Sequence, residues 1–476
     1  MKLITRSLLI SLFVFILFTS DTYAQSNFVY VNTNTPLNTV AAFSVASNGA
    51  LSPIAGSPFI TGGTGNNVGL FAANRSAVCM VANRLYVAND GSNNVTGFDI
   101  NPFTGFLTII PGSPFATGGI ASGYGMSLDC TPSGQFLIAA NGNSSSITVF
   151  SIAANGALTP IAGAPFPASN KPNGSKVSPN GKFLYVTEDT NLIEAFNIAA
   201  SGALTPVPGS PFSGGSFPFG SGVTGIEINC ASTLLFAPAS GFSTNVSVFN
   251  ISANGALTPI PGSPFIFAGG FNSLAAVLSP NGQFLFVSSQ GGLIAALNVA
   301  ANGSLSPITG SPFPGVGSGQ QLSINQSGSL LYVNSAFGTL GVFSIASIGA
   351  VTAVPGSPFV VGSSTLPSVS AFPPKDCAFD FCLQDDSNGN LLKINSRTGD
   401  YQFTNCSGFI LTGTGTLIKQ GSTLTLQHYA TDRRVFAKND GSVNRGSASI
   451  QVFSSGITFT IFDRNTANNT CSCPAQ

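Results

Sequence analysis

The 476-residue chain has no tryptophan, a single histidine (His428) and charge on only 7% of its residues, with a formal net charge of zero. Each shortage excludes something. Without tryptophan the usual platform for stacking a sugar ring is missing. With one histidine, general acid–base chemistry near neutral pH loses its commonest side chain. So few charges leave no basic footprint for nucleic acid or an anionic membrane. No Gly-x-Ser-x-Gly, His-Glu-x-x-His or phosphate-loop motif occurs. In their place are 55 glycines, 30 prolines and 40 phenylalanines. Phenylalanine must supply the aromatic packing, while Ser, Thr, Asn and Gly keep exposed strands and loops soluble.

Residues 1–24 read as a secretory signal. Lys2 and Arg6 form a charged start, Ser7 to Phe18 is a short apolar run, and Thr22-Tyr23-Ala24 offers a cleavage site before Gln25. No later segment reads as transmembrane, so the mature protein is expected outside the cytoplasm, in the periplasm, at the cell surface or beyond. Export permits disulfides. Cys79, Cys130 and Cys230 lie in the first part of the chain, and Cys377, Cys382, Cys406, Cys471 and Cys473 in the last hundred residues. Both groups are odd in number. Each therefore keeps a free thiol, or one bond joins them.

The strongest signal is a repeat. Gly-Ser-Pro-Phe begins at Gly56, Gly112, Gly163 (with Ala164 for Ser), Gly209, Gly262, Gly310 and Gly356, at spacings of 46 to 56 residues. A glycine stands seven residues before each copy, from Gly49 to Gly349, and an apolar residue follows two places later. That is the pattern of a tight hairpin held in one register in every repeat. Around Gly209 the unit reads as an inner strand Ser175–Pro179, then Phe183–Thr187, Leu192–Ile198 and a fourth strand from Leu204. Proline removes an N–H and suits a sheet edge, and the phenylalanine is expected to pack between neighbouring sheets.

Short strands at this period predict an all-β, seven-bladed β-propeller with four-stranded blades over residues 27–374. The first second-strand, through Tyr30, has no inner strand before it, whereas Pro367 to Phe372 looks like an inner strand without a blade. Ring closure between the two removes both exposed edges.

Phe28-Val29-Tyr30-Val31-Asn32, Leu85-Tyr86-Val87-Ala88-Asn89 and Ser178-Pro179-Asn180-Gly181-Lys182-Phe183-Leu184-Tyr185-Val186-Thr187 resemble the lactonase-type seven-bladed propellers. That family includes bacterial 6-phosphogluconolactonases and related cyclases. The chain is also similar to surface propellers built from Tyr-Val-Thr-Asn repeats. The resemblance implies charged residues on the inner strands of an enzyme: a His at Asn173, an Arg-His pair at Val223 and Thr224, an acid and an Arg at Ala275 and Gln290, and an Arg at Gln320. All are neutral here.

The acids of the propeller region offer the remaining candidates. Asp129 and Glu227 fall on inner strands, and Glu188-Asp189 opens a loop between second and third strands. Glu188, Asp189 and Glu227 are candidate ligands of a divalent cation and, in an enzyme, candidate catalytic groups; isolated hydrogen-bonded acids are the structural alternative. Loops such as Asn89–Asn94 and Asn141–Ser146 suit turn chemistry or a neutral polar ligand. No cofactor is expected.

After Pro374 the repeats stop and charge rises, to nine bases and eight acids. Residues 375–476 read as a small antiparallel β sandwich or barrel, with strands such as Ser422–His428 and Gly456–Phe462. Its cysteines suggest disulfides, with zinc as the alternative. His428 reads as structural. Asp385–Asn390 has the start of a calcium loop without the closing Glu.

Two functions remain open. One is a secreted, non-catalytic binding or surface scaffold, monomeric, engaging an extracellular protein or a neutral polysaccharide. The other is a lactone hydrolase, a 6-phosphogluconolactonase-like carbohydrate enzyme, with a divergent site using Glu227, Glu188 or Asp189.

Overall fold

The computed structural model describes residues 27–65, 77–120, 125–215, 222–241, 244–267, 272–362 and 368–372, and the backbone of eight further strands between Phe381 and Phe462. Residues 1–24, read above as a signal, the cation-loop candidate after Asp385 and the last cysteines lie outside these residues. Among the described residues, seven antiparallel sheets form the seven blades of a propeller. Their inner strands are Ser368–Phe372, Val78–Val81, Met126–Cys130, Pro172–Val177, Glu227–Ile228, Ser273–Leu278 and Gly319–Ile324, in blades 1 to 7.

The ring closes as the repeat count requires. Ser368–Phe372 pairs antiparallel with Asn27–Asn32, with Ser370 opposite Tyr30, so blade 1 is built from both ends of the domain. In blade 4 the inner strand starts three residues earlier than the sequence suggests. The register slips between Pro172 and Ser175, and the irregularity accommodates Asn173 and Gly174. Proline is tolerated there because it is the first residue of the strand.

The outer strand of each blade comes in two pieces, which explains the tetrapeptide. In blade 1, Leu51–Pro53 and Phe59–Ile60 both pair with Thr39–Val45. Between them the chain bulges away from the ladder. Gly56 takes φ +84, the Ser57–Pro58 bond is cis, and the Phe59 ring lies over Gly56. The excursion leaves the Ala42 N–H without a strand partner, and it donates to Ser57 Oγ at 2.8 Å. Ser113, Ser210, Ser263, Ser311 and Ser357 accept the corresponding N–H in their own blades. Only blade 3, with Ala164, has no hydroxyl to offer. The tetrapeptide is therefore a repair of the sheet edge.

Among the described residues the core divides into seven apolar clusters, one in each gap between neighbouring blades. The repeat phenylalanines border these clusters, as expected. Blade-to-blade contact is specified further by tyrosine. Tyr30, Tyr86 and Tyr185 are fully buried, and each hydroxyl donates at 2.9 Å to a turn-glycine carbonyl in the next blade: Gly105, Gly156 and Gly255. Gly255 shows why glycine is needed. Its φ is +86, and a Cβ there would sit 2.5 Å from the Phe183 ring of blade 4. Tyr332 is buried in the same way at the gap between blades 7 and 1, but its hydroxyl has no partner. Burial pushes the phenol of Tyr86 up to about 12.

A disulfide joins Cys79 of blade 2 to Cys130 of blade 3. Cys230 is also disulfide-bonded, to a cysteine whose side chain lies outside the described set. The eight strands beyond the propeller pair into a closed barrel, in the order Phe381–Asp385, Leu391–Ile394, Asp400–Thr404, Ile410–Gln420, Thr423–His428, Arg434–Lys438, Gly456–Phe462, Arg445–Phe453. Two of its pairings are parallel, where a wholly antiparallel unit was expected. Arg445–Phe453 and Gly456–Phe462 form a hairpin that inserts between the first strand and the sixth.

The tyrosine contacts give a differential prediction. Tyr185→Phe removes a buried hydrogen bond and should cost about 1 kcal/mol, whereas Tyr332→Phe removes a hydroxyl without a partner and should cost nothing or stabilise slightly. Urea unfolding of the full chain measures both. Equal losses would show that Tyr332 has an acceptor in solution.

Candidate functional site

Each inner strand places one residue opposite the same position of the second strand. In blades 1 to 7 these residues are Ser370, Cys79, Asp129, Lys176, Glu227, Val277 and Ser323. Three charged residues thus occupy one layer in three consecutive blades. Lys176 Nζ lies 4.0 Å from Asp129 Oδ2 and 4.0 Å from Glu227 Oε2.

Both carboxylates are also tied to backbone. Asp129 Oδ2 accepts the Val177 N–H of blade 4 at 2.7 Å, and its Oδ1 accepts the Cys130 N–H at 3.0 Å. Glu227 is buried, and its Oε1 accepts the Leu278 N–H of blade 6 at 3.3 Å. Loss of water raises the Asp129 pKa even though Lys176 and the two N–H donors oppose it. The Asp129 charge, reinforced by Glu227 against the cost of burial, raises that of Lys176. The lysine therefore keeps its proton, and an ammonium is no nucleophile.

A second group of acids lies in the same blade. Glu188 ends the strand Phe183–Glu188, and Glu194 sits in Leu192–Ile198, one turn later. Both are buried. Glu188 Oε1 accepts the Asn170 N–H at 3.0 Å, and Thr190 Oγ1 donates to its Oε2 at 3.4 Å. Glu194 Oε1 accepts from both the N–H and the hydroxyl of Ser169. Burial, together with the neighbouring Glu194 carboxyl, pushes Glu188 up to about 7. Asp189 points elsewhere and accepts from Asn173 Nδ2 at 2.7 Å.

Glu188, Asp189 and Glu227 are consequently not brought together. Each has its own partners: the Asn170 N–H and Thr190 hydroxyl for Glu188, Asn173 for Asp189, and Lys176 with the Leu278 N–H for Glu227. Among the described residues no group of three His, Cys, Asp or Glu side chains is placed to hold a metal ion.

The positions where the resemblance implies charge are filled by neutral groups engaged in the fold. Thr224 Oγ1 lies within 3.1 Å of the Pro238, Ser273 and Leu274 carbonyls. Asn272 Nδ2 donates to Gln290 Oε1 at 3.0 Å. Val223 and Ala275 are buried, and the Gln320 side chain lies outside the description. The Asn-rich loops also turn inward. Asn89 bonds Asn38, Thr61, Asn94 and Thr96, so its role is structural.

Sequence reasoning missed Lys176 and Glu194. Aligning the repeats on their second strands would have placed Asp129, Lys176 and Glu227 in one layer. The signal for Glu194 is subtler. In blades 2 and 3 the corresponding positions hold an Asn–Thr pair, Asn89 with Thr96 and Asn141 with Thr148.

The family described as lactonase, seven-bladed β-propeller, matches residues 25–216. A putative 6-phosphogluconolactonase from Bacteroides fragilis is similar in structure, with 20% identity, a TM-score of 0.57, and coverage of 74% of this chain and 99% of that one. A second from Bacteroides uniformis gives 16%, 0.58, 73% and 100%. The periplasmic gluconolactonase of Pseudomonas aeruginosa gives 18%, 0.55, 73% and 98%. At these identities the likeness is one of fold. No curated protein matches the chain.

If the charged layer is a structural bracket, Lys176→Met strands two carboxylates and should destabilise the full chain by about 1–3 kcal/mol, below the ~3–5 kcal/mol of a fully buried pair because the lysine is partly exposed. Adding Asp129→Asn and Glu227→Gln should recover part of the loss. Chemical denaturation reads both. An unchanged Lys176→Met variant would contradict the bracket.

Proposed function

Taking the chain to carry a lactonase-type seven-bladed propeller, we propose that it is an exported, non-catalytic binding scaffold rather than a lactone hydrolase. The observation that carries this reading is the engagement of the central acids. Glu227 is held by Lys176 and the Leu278 N–H, and Asp129 by Lys176 and the Val177 N–H. A catalytic base needs a free lone pair facing its substrate. Recognition of a phosphosugar needs clustered Arg or Lys. The propeller region holds only Arg75, Arg84, Lys171, Lys176 and Lys182 as bases.

The surface supports binding through uncharged contacts. Among the described residues, nine of the ten most exposed large apolar side chains lie in blades 7, 1 and 2 or the connector leaving blade 2, including Phe337, Val360, Leu37 and Phe103. The described charged residues within it are Asp90 and the Arg84–Asp99 pair of blade 2, whose charges cancel across 3.2 Å. An apolar sector of this kind favours an extracellular protein as partner over a neutral polysaccharide. Such an interface should change little with salt, because screening acts on charge.

One observation favours the enzymatic reading. Glu188, pushed up to about 7, has the proton affinity of a general acid–base. It is however fully buried.

Purified full-length protein assayed against a panel of gluconolactones and other aldonolactones should give no rate above buffer. Hydrolysis that disappears in a folded Glu227→Ala variant would overturn the scaffold reading.

A further inference from the structure

We propose that Glu188 and Glu194 share one proton, and that this proton clamps the connector between blades 3 and 4 to the face of blade 4. The geometry has three parts. The two carboxyls occupy positions that in blades 2 and 3 hold an Asn–Thr hydrogen bond. They are buried, so neither charge is solvated. The connector hangs directly on them. Ser169 donates its N–H and hydroxyl to Glu194, and Asn170 donates its N–H to Glu188.

Polarity is inverted relative to the neighbouring blades. There the third-strand hydroxyl is the donor: Thr96 to the Thr61 carbonyl at 2.8 Å, and Thr148 to the Thr117 carbonyl at 2.6 Å. In blade 4 the sheet supplies acceptors and the connector supplies donors. An acceptor pair needs a proton between its members. Glu194 Oε2 is buried with no donor in the structure, and Glu188 is the group able to provide one when protonated. Two facing carboxylates without that proton repel each other in a dry site.

Glu194 is the ionisable group acting on Glu188. Asp189, on the same turn, is bonded to Asn173. Lys176, on the adjacent inner strand, is held by Asp129 and Glu227. Lys171 follows Asn170 in the connector.

The direction of the pH effect follows. Glu188 has a folded-state pKa near 7, above the ordinary carboxyl value. Its stabilising proton is fully present at pH 4 and is lost as pH rises through 7. The connector should therefore open more readily in alkaline solution.

Hydrogen exchange on the full-length protein tests this. After correction for the intrinsic exchange rate, the amides of Ser169 and Asn170 should open on the order of tenfold more at pH 8.5 than at pH 5.5. Amides of blade 7, such as Tyr332, should not change. Glu188→Gln places a permanent amide donor beside Glu194 and should hold the connector closed at both pH values. Should that variant misfold, Glu194→Gln, which supplies the donor from the other side, is expected to do the same. Opening that is equal at both pH values in the native chain would overturn the proposal. So would opening that stays pH-dependent in a folded Glu188→Gln or Glu194→Gln variant. Full closure at pH 8.5 on adding calcium would show a cation site in place of a shared proton, and would equally overturn it.

Discussion

The propeller depends on one contact, repeated around the ring: a side chain of one inner strand reaching the inner strand of the next blade. Asp129 takes the Val177 N–H, Glu227 takes the Leu278 N–H, and Ser323 takes the Ala371 N–H across the closing blade. The residue equivalent to Asp129 in blade 2 is Cys79, and its partner in blade 3 is Cys130, the residue after Asp129. The disulfide is thus the covalent form of the same bracket. Apolar clusters fill the gaps between blades. Directed bonds between inner strands, with the Tyr–Gly bonds, add specific contacts across the same gaps.

This constraint accounts for the chemistry of the hub. The Asp129 and Glu227 carboxylates each receive a neighbouring blade's N–H and face the Lys176 ammonium, which ties them to the closure of the hub. The same fold can host an active site, as its structural relatives with lactonase names suggest for themselves, but fold does not carry activity. In this chain the central positions contribute to closure. Among the described residues, the exposed large apolar side chains concentrate on blades 7, 1 and 2.

Much of the architecture could be read from the sequence. Gly49 to Gly349 and the Gly-Ser-Pro-Phe copies fix hairpin register, because a positive φ and a bulged edge each admit few residues. Counting second strands through Tyr30 and Tyr332 was enough to predict closure by Pro367 to Phe372. The site was less legible because its contacts join residues far apart in sequence. Asp129, Lys176 and Glu227 are separated by about one repeat each and meet only when blades 3, 4 and 5 pack side by side. Glu188 and Glu194 are close in the chain, yet two glutamates flanking a turn look like solvated acids until the connector is seen to cover them. The early start of the Pro172–Val177 strand was hidden by its irregular register, which breaks the alternation that marks a strand.

The most direct test of a hub committed to its own closure is a crystal structure of the full chain grown with a gluconolactone and a divalent cation. The account predicts Lys176 seated between Asp129 and Glu227, with the Leu278 N–H still on Glu227 and neither additive at the axis. A lactone or metal ion bound to Glu227, with that N–H displaced, would contradict it.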